Sequence, residues 1–193
     1  MKLDQTYWDK RYIEMKTRWD VGSPTKPLKE YINQLKNKDA RILIPGSGNG
    51  YEAEYLFKRQ FHNTFVLDYS KTALNNFINR VPDFPNDQIL EMNFFNLAGK
   101  FDIIIEQTFF CAIEIDQRHA YINKMSELLD RKGKLIGLFF DDIFNNQKPP
   151  FGASKNQYLK LLNSLFTIST FEECYNSIPS REGSEFFCIA EKI

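Results

Sequence analysis

The sequence predicts an α/β fold built on a doubly wound, mostly parallel sheet, and three observations predict it. Short apolar runs alternate along the chain with amphipathic stretches of helical period. The links between them are short, as in βαβ units. Two runs, Phe101–Glu106 and Lys134–Phe140, are nearly continuous in Ile, Leu and Phe, as strands covered on both faces must be.

The elements follow in order. From Asp4 to Met15 the apolar positions Tyr7, Trp8, Tyr12 and Met15 fall at helical spacing, and Gly22, Pro24 and Pro27 then break the pattern. Leu28 to Leu35 is a short helix, and Arg41–Pro45 a compact apolar strand. Gly46-Ser47-Gly48-Asn49-Gly50 follows at once, with a helix from Tyr51 to Arg59. Thr64–Asp68 reads as a strand, and Ser70 as the N-cap of a helix over Lys71–Arg80. Gln88–Met92 is a third short strand and Phe101–Glu106 a fourth. Asp116 is placed to cap a helix through Leu129 that carries Tyr121, Met125 and Leu128 on one face. Lys134–Phe140 is a fifth strand, and Lys155–Leu162 a last helix. Phe166–Cys174 and Glu185–Glu191, turning through Pro179–Gly183, predict an antiparallel hairpin at the sheet edge.

Composition bounds the partners. The 193 residues carry 25 Lys and Arg against 25 Asp and Glu, so the basic excess of a nucleic-acid binder is missing. No apolar run approaches the roughly 18 residues of a membrane helix, and Met1–Arg11 lacks the apolar core of a signal segment. A cytosolic protein is expected, and with no long exposed apolar face, a monomer. Cys111, Cys174 and Cys188 are an odd set without a C-x-x-C pair, and His62 and His119 are the two histidines. Neither a disulfide framework nor a metal centre is expected. The 18 Phe and 9 Tyr are unusual for this length; most must be core, and a surplus can also line an apolar pocket.

The most informative stretch is strand, then G-S-G-N-G, then helix. Glycines let the chain turn sharply and let a ligand approach the backbone, and the loop delivers that ligand to free N–H groups at a helix start. Asp68 ends the next strand, near the roughly 20-residue spacing of a carboxylate that holds ribose hydroxyls. The alternative is a plain strand-to-helix turn with Asp68 capping the next helix. A dinucleotide fingerprint would place its third glycine where Tyr51 stands. The G-x-G-x-G spacing therefore disfavours a nicotinamide oxidoreductase, one rival on this fold. A binding module without turnover is another.

At Ile44–Glu52 the chain resembles class I S-adenosylmethionine (SAM)-dependent methyltransferases. More narrowly it is similar to the thiopurine S-methyltransferase group and its plant thiol, thiocyanate and halide methyltransferase relatives. Trp8, Trp19-Asp20-Val21-Gly22, Asn93-Phe94-Phe95, Phe109-Phe110-Cys111-Ala112-Ile113, Arg118 and Pro149-Pro150-Phe151 agree, in the expected order. The resemblance covers nearly the whole chain. It implies a Rossmann-like sheet of seven strands in one methyltransferase domain over residues 1–193, with 1–36 as a helical cover and 37–193 as the core. It also implies SAM as cofactor and a small acceptor with a soft nucleophile. Gly46, Gly48 and Gly50 would pass the methionine part, Asp68 would hold the ribose, and Asn93 and Phe94 would flank the adenine. Trp8, Tyr12 and Trp19 would fold over the cofactor, Gln107 would contact its backbone, and Arg118 would point toward the acceptor. Asn93 departs from the family, which often has Asp there.

Several residues carry a second reading. Arg118 lies in the first turn of its predicted helix, where a cation opposes the macrodipole by about 0.3–1 kcal/mol; either another group uses that charge, or this is a surface arginine paired with Glu114 or Asp116. Trp8 and Tyr12 fit a core-packing face as well as a cover, and aromatic faces also suit a sulfonium. Phe94 fits the core or an adenine platform. Phe109 and Phe110 adjoin, which sends one to the core and one to the pocket. Glu106 ends a strand where ligands bind in open α/β sheets, or is a solvated cap. Cys111 reads as a small buried hydrophobe. Tyr175, Asn176, Arg181 and Glu185 fit ordinary hairpin polarity or a closure of the acceptor site.

Overall fold

Alternation within each strand decides the layers. In β1 (Ile42–Pro45), Ile42 and Ile44 face one side of the sheet and Leu43 the other. In β4 (Phe101–Gln107), Ile103 and Ile105 oppose Ile104, and in β5 (Leu129–Phe140), Ile136 and Leu138 oppose Leu135 and Phe139. Both faces are apolar, so helices must cover both. The computed structural model describes residues 2–141 and 147–193. One face is covered by α2 (Lys26–Gln34), α3 (Tyr51–Lys58) and α4 (Lys71–Arg80), through Leu28, Ile32, Leu56, Leu74 and Phe77. The other is covered by α5 (Arg118–Leu128) and α6 (Lys155–Leu162), through Tyr121, Met125, Leu128, Tyr158 and Leu162.

The remaining strands are β2 (Thr64–Asp68), β3 (Ile89–Glu91), β6 (Phe166–Glu173) and β7 (Glu185–Lys192). The sheet has seven strands in the order β3-β2-β1-β4-β5-β7-β6. Strands β1 to β5 are parallel, and β7 is antiparallel to both β5 and β6. The predicted doubly wound sheet with an antiparallel edge hairpin is thus present. It is the second strand of the hairpin that joins the sheet, pairing from Lys134 opposite Glu191 to Phe140 opposite Glu185.

Three details differ from the sequence reading. The first helix, α1, spans Gln5–Ile13, and Met15 lies beyond it in the left-handed region (φ 54°), 88% exposed. Met15 therefore belongs to no buried face. Asp116 does not cap α5. The chain enters that helix through a 3-10 turn over Ile115–Gln117, and Gln117 occupies the cap position with no side-chain bond. Strand β5 begins at Leu129, where α5 ends, because Leu129 already pairs with Phe101 before the register shifts to Ile103 opposite Lys134. Ser70 is the N-cap of α4 as expected, accepting from Ala73 N at 3.1 Å.

Candidate active site

The C-terminal ends of β1, β2 and β4 open into a cleft of about 1450 Å³, the usual ligand position in open α/β sheets. Its floor is the glycine loop. Gly46 and Gly48 both have φ in the left-handed region, +60° and +52°. Side chains there would also collide: a Cβ on Gly46 would lie 2.5 Å from the Phe109 ring, and one on Gly48 2.5 Å from the Tyr12 hydroxyl. At these two positions the aromatic neighbours leave no room for a Cβ, while the backbone itself stays part of the cleft lining. Gly50 faces away, against Phe77 of α4, and serves the packing of α3 on α4 rather than the cleft wall.

Asp68 sits at the cleft with 9% exposure. Its two carboxylate oxygens accept from Gly48 N and Ser70 N, each at 2.8 Å. Burial pushes its carboxyl up, and those backbone donors pull it back in part. The carboxylate thus ties the glycine loop to the start of α4 while facing the cleft. Asn93 caps a 3-10 turn by accepting from Phe95 N at 2.9 Å. Phe94 is 2% exposed and stacks among Phe95, Phe109 and Tyr121, so it is core and cleft wall together. Phe110 is buried beneath, and Phe109 lines the cleft.

Helix α1 lies over the loop with no fully buried residue of its own. It is held by polar bonds: Asp9 accepts from Ser70 Oγ (2.7 Å) and Thr72 N (2.9 Å) at the start of α4. Trp8 and Tyr12 both meet Trp19 edge to face, at 5.6 and 5.8 Å, and Trp19 Nε1 donates to the Tyr12 hydroxyl at 3.2 Å. The Trp19 segment is fixed from two further directions. Arg181 donates to the Trp19 carbonyl at 2.7 Å, and Asn49 of the glycine loop donates to Asp20. Arg181, 6% exposed, is in turn paired with Glu185 at 3.3 Å. The hairpin therefore does reach the cleft, through Arg181, whereas Tyr175 is 91% exposed.

Beneath the cleft, Glu106 is fully buried and not a solvated cap. It accepts from Tyr121 Oη (2.6 Å), Phe109 N (2.9 Å) and Phe110 N (3.1 Å). Gly137 lies opposite it, where a Cβ would approach Glu106 Cβ to 2.6 Å. Burial pushes the carboxyl up to about 7 against those donors. Gln107, next along β4, lines the cleft, and its Oε1 accepts from Thr25 Oγ1 at 3.2 Å.

Arg118 lies outside the cleft lining. It is 7% exposed, donates to the carbonyls of Phe151 (3.1 Å) and Gly152 (2.9 Å), and stacks over the Phe110 ring at 4.9 Å. Those contacts answer the charge left at the helix start and brace the Pro149–Gly152 segment, whose two prolines form cleft wall. Burial pushes the Cys111 thiol up, so it stays protonated. Sequence reasoning missed Tyr69, Thr25 and Glu52, which also line the cleft. Tyr69 had a signal in directly following Asp68, and Glu52 in following the last glycine so closely. Thr25 had none.

The contents of the cleft fit a nucleoside carrying a polar tail: a carboxylate on one flank, bare backbone in the middle, and two buried polar atoms, Ser47 Oγ and Gln107 Nε2, without hydrogen-bond partners among the described residues. A fold and a site of this kind define a SAM-dependent methyltransferase. A model of the thiopurine S-methyltransferase family matches residues 3–193, and the chain belongs to that family. Among curated proteins it is 33% identical over 184 residues to a probable thiol methyltransferase 2 of Arabidopsis thaliana, covering 92% of this chain and 81% of that one. It is 29% identical to thiocyanate methyltransferase 1 of the same plant, over 95% and 83%. In fold it resembles the Burkholderia thailandensis 1,6-didemethyltoxoflavin-N1-methyltransferase with bound S-adenosylhomocysteine (TM-score 0.81, 15% identity, 97% and 86% covered). It also resembles the magnesium protoporphyrin IX methyltransferase of Synechocystis with bound SAM (TM-score 0.73, 14% identity, 100% and 98% covered).

Proposed function

We propose that the protein methylates a small soft nucleophile, a thiol or an anion such as thiocyanate. The observation that carries this reading is the make-up of the cleft beside the family membership. Neither His62 nor His119 lines it, so the wall suits a nucleophile that arrives already anionic and needs no imidazole base. A thiol meets that condition through its thiolate fraction. The two plant relatives carry thiol and thiocyanate in their names.

When bound, SAM supplies a methyl carbon on a sulfonium, which an in-line displacement transfers, leaving S-adenosylhomocysteine. The chain's own task is to align and to keep water out. Asp68 holds the ribose hydroxyls, Gly46 and Gly48 give the methionine part its close approach, and Gly50 sets the turn behind them. Asn93 and Phe94 flank the adenine, and Gln107 meets the tail. Trp8, Tyr12 and Trp19 cover the cofactor, their faces suited to a sulfonium. Arg118 is a positioning residue: it holds the Pro149–Gly152 wall against which the acceptor packs. The cysteines are unpaired and buried, in keeping with a reducing compartment, and we place the protein in the cytosol. Among the described residues no helix is long and apolar enough to cross a membrane.

The test is an acceptor screen with labelled SAM against thiocyanate, halides, small and aromatic thiols, and amine and hydroxyl analogues of those thiols. Methylation of sulfur or of the anions is expected. Turnover confined to amines or hydroxyls would overturn the reading.

A further inference from the structure

Glu52 is the second residue of α3, directly behind the glycine loop. Its side chain lines the cleft although the residue is 7% exposed. Among the described residues no Lys or Arg nitrogen comes within ion-pair distance of it. The nearest cationic influence is Arg181, whose guanidinium is already engaged by Glu185 and the Trp19 carbonyl. The Glu52 carboxyl accepts from Thr25 N at 3.1 Å; burial pushes it up, against that bond, its own backbone N–H and the Thr25 side chain. Such neutral donors require an oxygen and not a charge, and a glutamine oxygen would meet them with less desolvation. A buried carboxylate that faces the cleft, with Arg181 and the other cations of the lining outside ion-pair range, calls for a cation from the ligand.

Its position says which one. Pairing of Ile42 with Ile103 and Leu43 with Ile104 carries forward to set Gln107 level with Gly46. Thr25 bridges Glu52 and Gln107, its N–H on the first and its hydroxyl on the second. Glu52 and Gln107 therefore form the β4 flank of the glycine loop, and Asp68 the β2 flank. A nucleoside with its ribose at Asp68 would carry its amino-acid tail along the glycine loop toward the β4 flank, where Glu52 lies. We infer that Glu52 binds the α-ammonium of the cofactor's methionine part, and so selects cofactors that carry a free amino group. The inference rests on the reading of this cleft as the SAM site.

The experiment is calorimetry with two ligands, S-adenosylhomocysteine and its analogue lacking only the α-amino group. The wild type is expected to prefer the amino compound by on the order of 10- to 100-fold, the scale of a hydrogen bond to a charged group. Glu52→Gln keeps an oxygen for Thr25 N, and should bind both ligands alike, at the wild-type affinity for the deaminated one. Glu52→Asp keeps the charge one methylene short and should show a reduced preference, which serves if the glutamine variant fails to fold. A preference unchanged in either variant, or equal losses for both ligands in Glu52→Gln, would overturn the inference. Absence of binding to the wild type by either ligand would instead overturn the cofactor site itself, and the inference with it.

Discussion

Replacing Glu106 by Gln should remove a large part of the pH dependence of stability. The carboxyl has an ordinary value of 4.5 and is pushed up to about 7 in the fold by burial, against hydrogen bonds from Tyr121, Phe109 and Phe110. A carboxyl raised in the folded state keeps its proton longer there than in the unfolded chain. Below pH 4.5 both states are protonated and the group is neutral in effect. As the pH rises toward 7 the unfolded chain ionises first, stability falls, and the loss levels off above 7. The separation between 4.5 and about 7 corresponds to about 3 kcal/mol in all, of which about 2–3 kcal/mol is lost between pH 5 and 8. A glutamine can accept from the two backbone N–H groups and offer its amide to the Tyr121 oxygen, so it keeps the site's shape without titrating. Urea unfolding of both proteins at half-unit steps from pH 5 to 8 reads the difference. The wild type should lose stability relative to the variant across that range. Parallel curves would refute the assignment of this titration to Glu106.

Gly48→Ala should destabilise by about 1–2 kcal/mol from the left-handed backbone alone, with a further cost from the Tyr12 hydroxyl 2.5 Å from the new Cβ. In a Tyr12→Phe background the next ring atom is 3.6 Å away, so the collision is relieved and the strain remains. Thermal unfolding of the four proteins in a double-mutant cycle should show positive coupling, and strict additivity would deny the contact. Arg118→Ala leaves the buried Phe151 and Gly152 carbonyls without those donors, at about 1–3 kcal/mol each. It should lower the melting temperature and raise the acceptor KM while S-adenosylhomocysteine affinity stays within about twofold. Equal losses for acceptor and cofactor would count against a role in the acceptor wall.

Much of the fold was legible because its physics is local. The continuous apolar runs of β4 and β5 exist because alternate residues feed two cores, and that pattern is written in consecutive letters. The glycine loop and Asp68 were legible for a related reason: a strand end, a tight turn and a helix start are neighbours in the chain. Arg118 shows where this stops. Its sequence position announced an unused charge, but its partners are the carbonyls of Phe151 and Gly152, far along the chain. Glu106 is similar. Its burial depends on Tyr121 from α5 and on the space left by Gly137 in β5, and no local pattern encodes either. Thr25 enters the cleft only because α2 packs beside α3, bringing it to Glu52 and Gln107. The hairpin's polar residues divided on tertiary grounds as well, with Arg181 turned inward to Trp19 and Tyr175 outward to solvent.

The central claim is that the cleft binds the nucleoside of SAM through Asp68, and calorimetry tests it most directly. Wild-type protein should bind S-adenosylhomocysteine with a Kd of about micromolar and show no binding of NAD. Asp68→Ala should weaken the first by on the order of 10- to 100-fold, since the buried carboxylate proposed to hold the ribose hydroxyls is lost. An affinity unchanged by Asp68→Ala, or binding of NAD in place of S-adenosylhomocysteine, would contradict the account.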